Sequence, residues 1–196
     1  MDETPQAGSE WDGERFAKVD FSGVDLRRCR FEGCEFVDCV FTDANLGEAV
    51  FHDCSWLRCE VSSCNVRGAR FRQAAFTGCR VRGVSFSDCH GLVLEFEFTD
   101  CNLSYSSFFG LRLPNTTFKD CKMDETDFGE AVLTGSSFEG SSLQGTTFHR
   151  TDLGGCDMSA ARHVCVDLQN NRVKGLKLSF DGAVSTLAAV GVELTL

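Results

Sequence analysis

Twelve cysteines are the residues of this 196-residue chain whose type suggests chemistry, either disulfide formation or metal binding. Cys29, Cys34 and Cys39 illustrate their spacing, C-x4-C, which differs from the paired C-x2-C of zinc sites. Disulfides form in oxidising compartments, and residues 1–13 are acidic and lack the apolar run of a secretory signal. We therefore expect free thiols in a cytoplasmic protein, with no metal and no other cofactor.

The residue types that usually carry catalysis form no recognisable constellation. The four histidines share no spacing, and the chain lacks the GxGxxG, GxxxxGK[ST], HExxH and GxSxG motifs. Aspartate and glutamate are numerous, but each falls where the repeat described next places a solvated side chain. We predict no catalytic residue and no enzyme activity.

An apolar residue recurs at every fifth position of the chain. The fifteen such positions from Phe16 to Phe86, and the thirteen from Phe98 to Met158, hold only Phe, Leu, Trp, Val or Met. A helix repeats at about 3.6 residues and a strand at about 2, so neither produces this period. A chain that turns every five residues and stacks its coils would bury these central residues as continuous ladders. We predict an all-β solenoid with a first stack (14–90) and a second stack (98–158).

Small residues occupy a second inward position, two residues before each central residue. In the first stack they are mainly Cys, Ala and Val, so the cysteines act as small hydrophobic residues. Eleven cysteines share this position: Cys29, Cys34, Cys39, Cys54, Cys59, Cys64, Cys79, Cys89, Cys101, Cys121 and Cys156. In the second stack hydroxyl residues replace them, and we expect hydrogen bonds between coils from Ser106, Thr116, Thr126, Ser136, Ser141, Thr146 and Thr151.

Residues 44–48 (ANLGE) and 151–155 (TDLGG) resemble the pentapeptide repeat, A(D/N)LXX, and the resemblance covers about Glu14 to Leu178. The family's fold is a right-handed quadrilateral β-helix with four pentapeptides per coil. The resemblance therefore implies that Cys39 and Cys59 stack in strands about 4.8 Å apart. Stacked side chains run parallel rather than converging, which favours thiols over disulfides.

Within this family the chain is most similar to the topoisomerase-inhibitor resistance proteins. Residues 101–108 (CNLSYSSF) resemble the Qnr type, although the longer projecting loops of that type are absent. Residues 12–16 (DGERF) and 108–113 (FFGLRL) are most similar to the albicidin-immunity type. Residues 178–192 resemble the C-terminal dimerisation element of both types and of the MfpA type. The resemblance implies a homodimer that acts on DNA gyrase, with topoisomerase IV as a second target.

The expected organisation has three parts. A flexible leader (1–13), in which Trp11 covers the first coil, precedes the pentapeptide repeat β-helix (14–178). A C-terminal dimerisation element (179–196) follows, with a short helix over 181–190 that has Asp181 as its N-cap. We expect a closed two-fold dimer, because it would cover both the apolar residues of this element and the open solenoid end. The dimerisation residues are Phe180, Val184, Leu187, Ala188, Val190 and Leu194.

The five-residue period becomes irregular after Met158. His163 takes a central position there, whereas Leu168, Val173 and Leu178 still fit the period.

Two residues interrupt the repeat, because Phe86 and Phe98 are twelve residues apart; the break lies within 88–97. Such an insertion must bulge outward to keep later ladders in register, and Leu92 and Leu94 would then have poor access to the core. The bulge is either a contact site or a locally repacked corner. Tyr105 and Phe109 fall at outward positions near it and form either an exposed apolar patch or surface packing.

The net charge of −10 disfavours nucleic acid and anionic membranes as direct partners, and no stretch is long and apolar enough to span a membrane. It suits a basic protein surface, or solubility alone. If coils have four faces and the break spans one repeat, the charges separate. An acidic face carries Glu35, Asp38, Glu97, Asp100, Asp120, Glu139 and Asp157, against Arg15, Lys18, Arg58 and Lys119. A basic face carries Arg30, Arg70, Arg72, Arg112, Arg172 and Lys174, against Glu32, Asp53 and Asp152.

Our leading hypothesis is a DNA-mimicking protein that protects gyrase from an antibiotic poison such as a fluoroquinolone or an albicidin-type compound. An anionic face on a rod roughly 40 Å long, from about eight coils at about 4.8 Å each, would occupy a basic groove shaped for a duplex. Evenly spread surface charge is the alternative to that face. The rival functional hypothesis is a non-enzymatic scaffold or regulatory protein unrelated to gyrase.

Overall fold

A computed structural model describes residues 5–90 and 94–193. The chain forms a parallel β-solenoid of about eight turns, followed by one short helix. Strand partners in the first stack lie twenty residues apart, as in the pairs Phe16–Phe36 and Phe31–Phe51. Four five-residue repeats therefore make one coil, which confirms the quadrilateral fold.

Short strands and single β-bridges connect successive coils. Most strands have three residues, because the backbone turns a corner every five residues. In chain order they are β1 (Glu10–Asp12), β2 (Arg15–Ala17), β3 (Arg30–Glu32), β4 (Glu35–Val37), β5 (Val50–His52), β6 (Ser55–Leu57), β7 (Glu60–Ser62), β8 (Arg70–Arg72), β9 (Ala74–Thr77), β10 (Arg80–Arg82), β11 (Phe96–Thr99), β12 (Thr117–Lys119), β13 (Asp157–Met158) and β14 (Lys177–Leu178). The helix α1 spans Phe180–Ala189, and one 3-10 turn spans Phe86–Asp88.

Each coil contributes one repeat to each of four faces. The acidic face is the sheet β2-β4-β6-β9-β11-β12, extended by bridges to β13 and β14. The basic face holds β1-β3-β5-β8, and its later coils join through bridges such as Arg112–Val132. A third face, here the Phe41 face, includes β7 and β10, and the fourth, here the Phe128 face, is joined by bridges alone.

Aromatic ladders fill the interior. On the acidic face the ring centroids of Phe36 lie 5.2 Å from Phe16 and 5.3 Å from Trp56, with nearly parallel planes. Rings on adjoining faces meet edge to face, as Phe31 and Phe36 do at 5.3 Å. Such pairs add about 0.5–1.5 kcal/mol beyond the burial of their area. The same ladder continues through the second stack, where Phe118 stacks on Phe138 at 5.1 Å.

The small inward residues link one coil to the next. Cys54 Sγ donates to the carbonyl of Phe31 at 3.4 Å. In the second stack, Ser136 Oγ donates to the carbonyl of Leu113 at 2.9 Å and accepts the amide of Thr116 at 3.0 Å. The predicted hydroxyl bonds between coils are therefore confirmed for six residues and remain a prediction for Thr116; the six are Ser106, Thr126, Ser136, Ser141, Thr146 and Thr151.

Side chains just before the central residues select the turns. Asp20, Asn45 and Asp127 each accept the amide two residues later, at 2.9, 3.2 and 2.8 Å, which closes a local turn in place of a longer strand. Within residues 5–90 and 94–193, seventeen residues other than glycine have a positive φ, between 50° and 65°. All except His163 follow a central residue by two positions, so these left-handed residues form the corners.

The break preserves the faces. Phe98 pairs with Phe76, and Asn102 bridges Arg80, so partners are twenty-two residues apart there and twenty apart again above it. Residues 91–93, which include Leu92, lie outside the described residues. The expectation for Leu94 is wrong: only 6% of it is exposed and it belongs to the core. A corner that carries extra chain has room to turn one additional apolar side chain inward.

The N-terminal boundary also differs from the prediction. Residues 10–12 are strand β1, in which Trp11 pairs with Phe31 and packs on Phe16 at 5.5 Å. Trp11 is thus the first central residue of the basic face, five positions before Phe16. The leader cannot extend to residue 13, because these three residues already belong to the first coil.

The C-terminal predictions need two corrections. Ser179 is the N-cap of α1, since its Oγ accepts the amide of Gly182 at 3.0 Å. Asp181 lies inside the first turn, where its negative charge interacts favourably with the positive end of the helix dipole. His163 is an exposed corner residue with φ of 58°, and Val164 and Val166 point inward instead. Leu168 is exposed for the same reason, whereas Val173 and Leu178 remain packed against the core.

Candidate interaction surfaces

The seven acidic residues predicted for one face share that face. Glu35, Glu97 and Asp157 directly precede the central residues of strands β4, β11 and β13. Asp38, Asp100 and Asp120 stand at the corner that follows, each with φ of 53°. Glu139 follows the central Phe138 by one position. The assumed register across the break is therefore correct for this face.

Basic residues on the same face pair with four of the seven. Glu35 lies 3.5 Å from Arg15, Asp38 lies 2.7 Å from Arg58, and Glu139 lies 3.9 Å from Lys119. Hydrogen bonds from Arg58 hold the pKa of Asp38 below its usual value. Charge on this part of the face is largely compensated.

Asp157 is the fourth paired carboxylate. Two hydrogen bonds lower the pKa of Asp157 to about 2: the one from Ser159 has the larger effect, and the one from Lys177, at 3.0 Å, has the smaller. Sequence reasoning missed Lys177, because the repeat frays before it; the parallel pairing of β14 with β13 places it beside Asp157.

Glu97, Asp100 and Asp120 have no ion-pair partner among the described residues. Glu97 lies between Ala75 and Thr117 in the sheet, both uncharged. Asp100 and Asp120 occupy the same corner on successive coils, and the Asp120 carboxylate lies over Gly140, where a Cβ would overlap it. The surplus negative charge of the face is therefore concentrated in the two coils that directly follow the break.

Tyr105 and Phe109 lie outside the solenoid, near this acidic group in sequence. Tyr105 is 60% exposed, and the Arg82 guanidinium lies 5.5 Å from its ring centroid. Phe109 is 44% exposed, and its ring covers Gly129, whose added Cβ would come within 2.9 Å of it. Phe109 thus packs partly along the surface, whereas Tyr105 projects further. Leu94 is not available for contact, because it is buried.

The outer side of α1 carries exposed apolar residues beside the polar Asp181 and Ser185. Gly182 and Thr186 face the solenoid, where Thr186 Oγ1 accepts the amide of Val166 at 3.2 Å. Phe180 is 77% exposed. Among the other predicted dimerisation residues, Val190 and Ala188 are exposed, Val184 and Leu187 are half-buried, and Leu194 lies outside the described residues.

The cysteines have a structural role in the described chain. Eleven are buried, Cys165 is exposed, and all twelve are free thiols. Burial raises the pKa of Cys54 to about 12, so the thiol stays protonated. No group of three or more potential metal ligands comes together within residues 5–90 and 94–193. In that same part of the chain, no helix is both long enough and apolar enough to cross a bilayer.

Comparison with known proteins identifies relatives by sequence profile and by fold. The profile of the pentapeptide repeat region matches residues 9–86, 49–128 and 94–178. Comparison with curated protein sequences gave no match.

Among solved structures, two trypsin-treated variants of QnrB1, a plasmid-mediated fluoroquinolone resistance protein, are similar over nearly the whole chain. One has 22% identity and a TM-score of 0.59 and covers 100% of this chain and 96% of that chain. The other has 21% identity and a TM-score of 0.57 and covers 98% and 100%. HetL, a pentapeptide repeat protein involved in heterocyst differentiation regulation from the cyanobacterium Nostoc sp. strain PCC 7120, has 15% identity and a TM-score of 0.45, covering 88% and 84%.

The profile matches overlap and together extend from residue 9 to residue 178, the same span over which the five-residue period and the coil-to-coil pairing run. The chain therefore belongs to the pentapeptide repeat family.

Proposed function

We propose that this protein is a non-enzymatic DNA mimic that binds DNA gyrase in the cytoplasm, and topoisomerase IV as a second target, and protects the enzyme from a poison. The observation that carries the proposal is the unpaired acidic group Glu97, Asp100 and Asp120 on one flat face. The similarity in fold to a fluoroquinolone resistance protein, over 100% of this chain and 96% of that chain, supports a drug of the same kind.

The physical basis is electrostatic complementarity with a basic groove. The carboxylates of Asp100 and Asp120 repeat at the coil spacing, about 4.8 Å, along a straight rod. A duplex presents about one charge per 1.7 Å of its axis, so the protein replaces only part of the DNA charge. Partial replacement favours reversible binding whose strength falls with added salt.

A second contact is assigned to Tyr105 and Phe109, which lie on the side of the rod away from the acidic face: Tyr105 at a corner of the Phe128 face and Phe109 on that face. Both are exposed, and aromatic side chains supply much of the binding free energy at protein interfaces. Leu92 remains a predicted contact outside the described residues, and Leu94 drops out because it is buried. We propose that these aromatics engage the drug-stabilised cleavage complex and favour release of the drug.

A charge-reversal experiment tests the proposal. Reversing Glu97, Asp100 and Asp120 to Lys leaves every inward residue unchanged, so the fold should survive. We expect loss of gyrase binding and of protection in a supercoiling assay with a fluoroquinolone. Reversing Glu35, Asp38 and Glu139 to Lys is the matched control: it changes the charge of the same face equally, but at carboxylates already paired. It should weaken binding less.

Two outcomes would contradict the mechanism. Equal losses from the two triple variants would show that the total charge matters and the unpaired group does not. A folded wild-type protein that neither changes supercoiling nor shields gyrase from any poison tested would favour the rival scaffold function. That rival is supported by the extensive ion pairing of the first stack, which leaves little net charge there for a basic partner.

Dimerisation through α1 completes the proposed function and doubles the length of the rod. The exposed Phe180 and Val190 would be covered by a second copy in a two-fold arrangement. Deleting residues 180–196 should give monomers or aggregates in light scattering, whereas Asp181→Asn, in the exposed first turn, should leave the dimer intact. A stable dimer after the deletion would place the interface elsewhere.

A further inference from the structure

The Phe41 face carries an unbroken column of outward residues, one from each of eight successive coils. Parallel bridges and the pairing of β7 with β10 link each member of the column to the next. In order along the rod the members are Asp20, Val40, Glu60, Arg80, Asn102, Lys122, Ser142 and Arg162. All eight are described residues, so the column crosses the level of the break without a gap.

The sign of the charge changes along this column. Its two acids, Asp20 and Glu60, belong to the first three coils, whereas its three bases, Arg80, Lys122 and Arg162, belong to the fourth and later coils. One face of the rod is therefore negative towards the N-terminal end and positive towards the C-terminal end.

An antiparallel second copy would meet this column with opposite charges. A two-fold axis that crosses the face between Arg80 and Asn102 places the first coil opposite the eighth and the third opposite the sixth. Asp20 then faces Arg162 of the second copy, and Glu60 faces Lys122. Because a two-fold contact is isologous, each of these pairs forms twice.

The residues that follow the central ladder of this face fit the same arrangement. Arg82 faces Ser104 of the second copy, and Asp124 faces Ser62, so both charges meet hydroxyl groups. The pairs at the adjoining corner are Asp43 with Gly145, Ser63 with Glu125, and Gly83 with Tyr105. No two like charges stand opposite each other on this face.

A shift of one coil in either direction sets bases against bases. In one direction Arg80 faces Arg80 of the second copy and Arg82 faces Arg82; in the other direction Arg80 faces Lys122. Like charges placed opposite each other suppress an interface, so the pattern selects one register as well as one orientation.

The four charges that would form the pairs are accessible. Asp20 and Arg162 are exposed and have no ion-pair partner among the described residues. Glu60 and Lys122 each have an ion-pair neighbour in their own chain, at 3.7 and 3.2 Å, but 45% and 58% of their side chains remain exposed. Carboxylates and cations so exposed can join a second partner.

We propose that the Phe41 face docks, antiparallel, on the same face of a second copy of this chain. The face is roughly 40 Å long and three outward residues wide, about 10 Å, so each copy would bury about 400 Å². A stable complex buries about 800 Å² per partner, and exposed ion pairs contribute little, so the association is weak and is reduced by added salt. The surface is separate from the acidic face and from α1, so the inference depends on neither gyrase binding nor dimerisation through α1.

Charge exchange, followed by sedimentation velocity at low salt, tests this contact. The double variant Asp20→Arg, Glu60→Lys and the double variant Lys122→Glu, Arg162→Asp each make both pairs repulsive. Each should self-associate at least about tenfold more weakly than the wild type. The variant with all four substitutions keeps the wild-type net charge and restores both pairs, so its self-association should return to within about threefold of the wild type.

Two controls separate the contact from net charge and from α1. Glu35→Lys with Glu139→Lys changes the net charge as much as Asp20→Arg with Glu60→Lys, but on the acidic face, and should alter self-association by less than about twofold. Mixing the two charge-exchange double variants should restore association between them, although neither associates with itself. The measured quantity is the rise in mass with concentration, which does not require α1 to be free or paired.

Cross-linking determines the register. A carbodiimide joins a carboxylate directly to a lysine amine, and Glu60 and Lys122 lie three coils apart in one chain, about 14 Å. A Glu60–Lys122 link found by mass spectrometry therefore forms between copies.

Four outcomes would overturn the proposal, with circular dichroism verifying the fold of each variant. They are a wild-type mass that does not rise with concentration at low salt, self-association that survives in both double variants, a folded fourfold variant that does not recover, and self-association without the Glu60–Lys122 link.

Discussion

Below the break, the small inward positions are mostly cysteines, most of whose Sγ atoms donate to the preceding coil at 3.2–3.5 Å, with Cys29 and Cys64 closer at 2.9 and 2.6 Å. Above it, serines and threonines donate at 2.7–3.1 Å. Cys54 reaches the carbonyl of Phe31 at 3.4 Å, whereas Ser136 reaches that of Leu113 at 2.9 Å and also accepts an amide. Both stacks nevertheless keep the same coil of four repeats. The central ladder therefore determines the fold, and the small ladder only adjusts how tightly successive coils are joined.

The two stacks also differ in how they treat surface charge. In the first, the carboxylates of the acidic face pair with arginines one coil away, as Asp38 does with Arg58. At the break and just above it, Glu97, Asp100 and Asp120 have no ion-pair partner among the described residues, whereas Glu139 and Asp157 further along pair with Lys119 and Lys177. Under the proposed function, the first stack is mainly a stable support, and the unpaired carboxylates at and above the break are the ones available to a partner.

The largest expected effect on stability comes from disrupting the central ladder, which both stacks share. Phe71→Asp in the first stack and Phe128→Asp in the second each bury an unpaired charge and remove a ladder ring. Both should lower the free energy of unfolding by more than about 3 kcal/mol. Thermal and urea unfolding followed by circular dichroism would measure it.

Arg72→Asp is the control for Phe71→Asp, because Arg72 is exposed and its pairing with Glu95 is long, at 4.0 Å. It should change stability by at most about 0.5 kcal/mol. Equal melting temperatures for Phe71→Asp and Arg72→Asp would refute the ladder.

A smaller effect on stability is expected at the small inward positions, where the two stacks differ. Ser136→Ala leaves the carbonyl of Leu113 and the amide of Thr116 without their partner, which should cost about 1–3 kcal/mol. Cys54→Ala removes one weak, long bond and a single sulfur atom, so it should cost less, about 1 kcal/mol. Urea midpoints for the two variants would measure the difference. A larger loss at Cys54 would mean that the sulfur packing, and not the hydroxyl bonding, holds coils together.

The smallest effect concerns the paired end of the acidic face. The pKa of Asp157 is lowered to about 2 in the folded protein, so its stabilising contribution is present above the unfolded value of 3.8 and is lost as the pH falls towards 2. Because the pair is exposed, the contribution should be at most about 1 kcal/mol. Asp157→Asn should therefore flatten the pH dependence of stability between pH 4 and pH 2 slightly. An unchanged profile would show that the pair with Lys177 contributes nothing.

The regular part of the fold was predictable because one physical rule recurs at every coil. Positions such as Phe31 and Ser136 are inward for the same reason throughout, so period alone places them. The seven acidic residues were placed on one face correctly, since the register survives the break. Their pairing was harder to predict: Glu35 and Arg15 meet only once twenty residues are known to separate neighbours.

The failures lie where the repeat ends or changes length. Leu94 was expected outside the core, but a corner with extra chain can turn it inward. Asp181 was a reasonable N-cap by residue type, yet Ser179 precedes the helix by the required position. Trp11 belongs to β1, but the acidic residues on either side of it resemble a leader, so this repeat was not recognised from the sequence. Dimerisation and the contact residues remain predictions.

The extra two residues at the break enter and leave without rotating any later face, since Phe98 stands over Phe76 as Phe76 stands over Trp56. Mutation can thus lengthen or shorten this one corner while the rest of the rod keeps its alignment. In such a solenoid, the length of one corner can change during evolution while the register of the remaining coils stays the same. Loop length at the joint between the acidic and basic faces is then free to vary among descendants without disturbing the coils on either side.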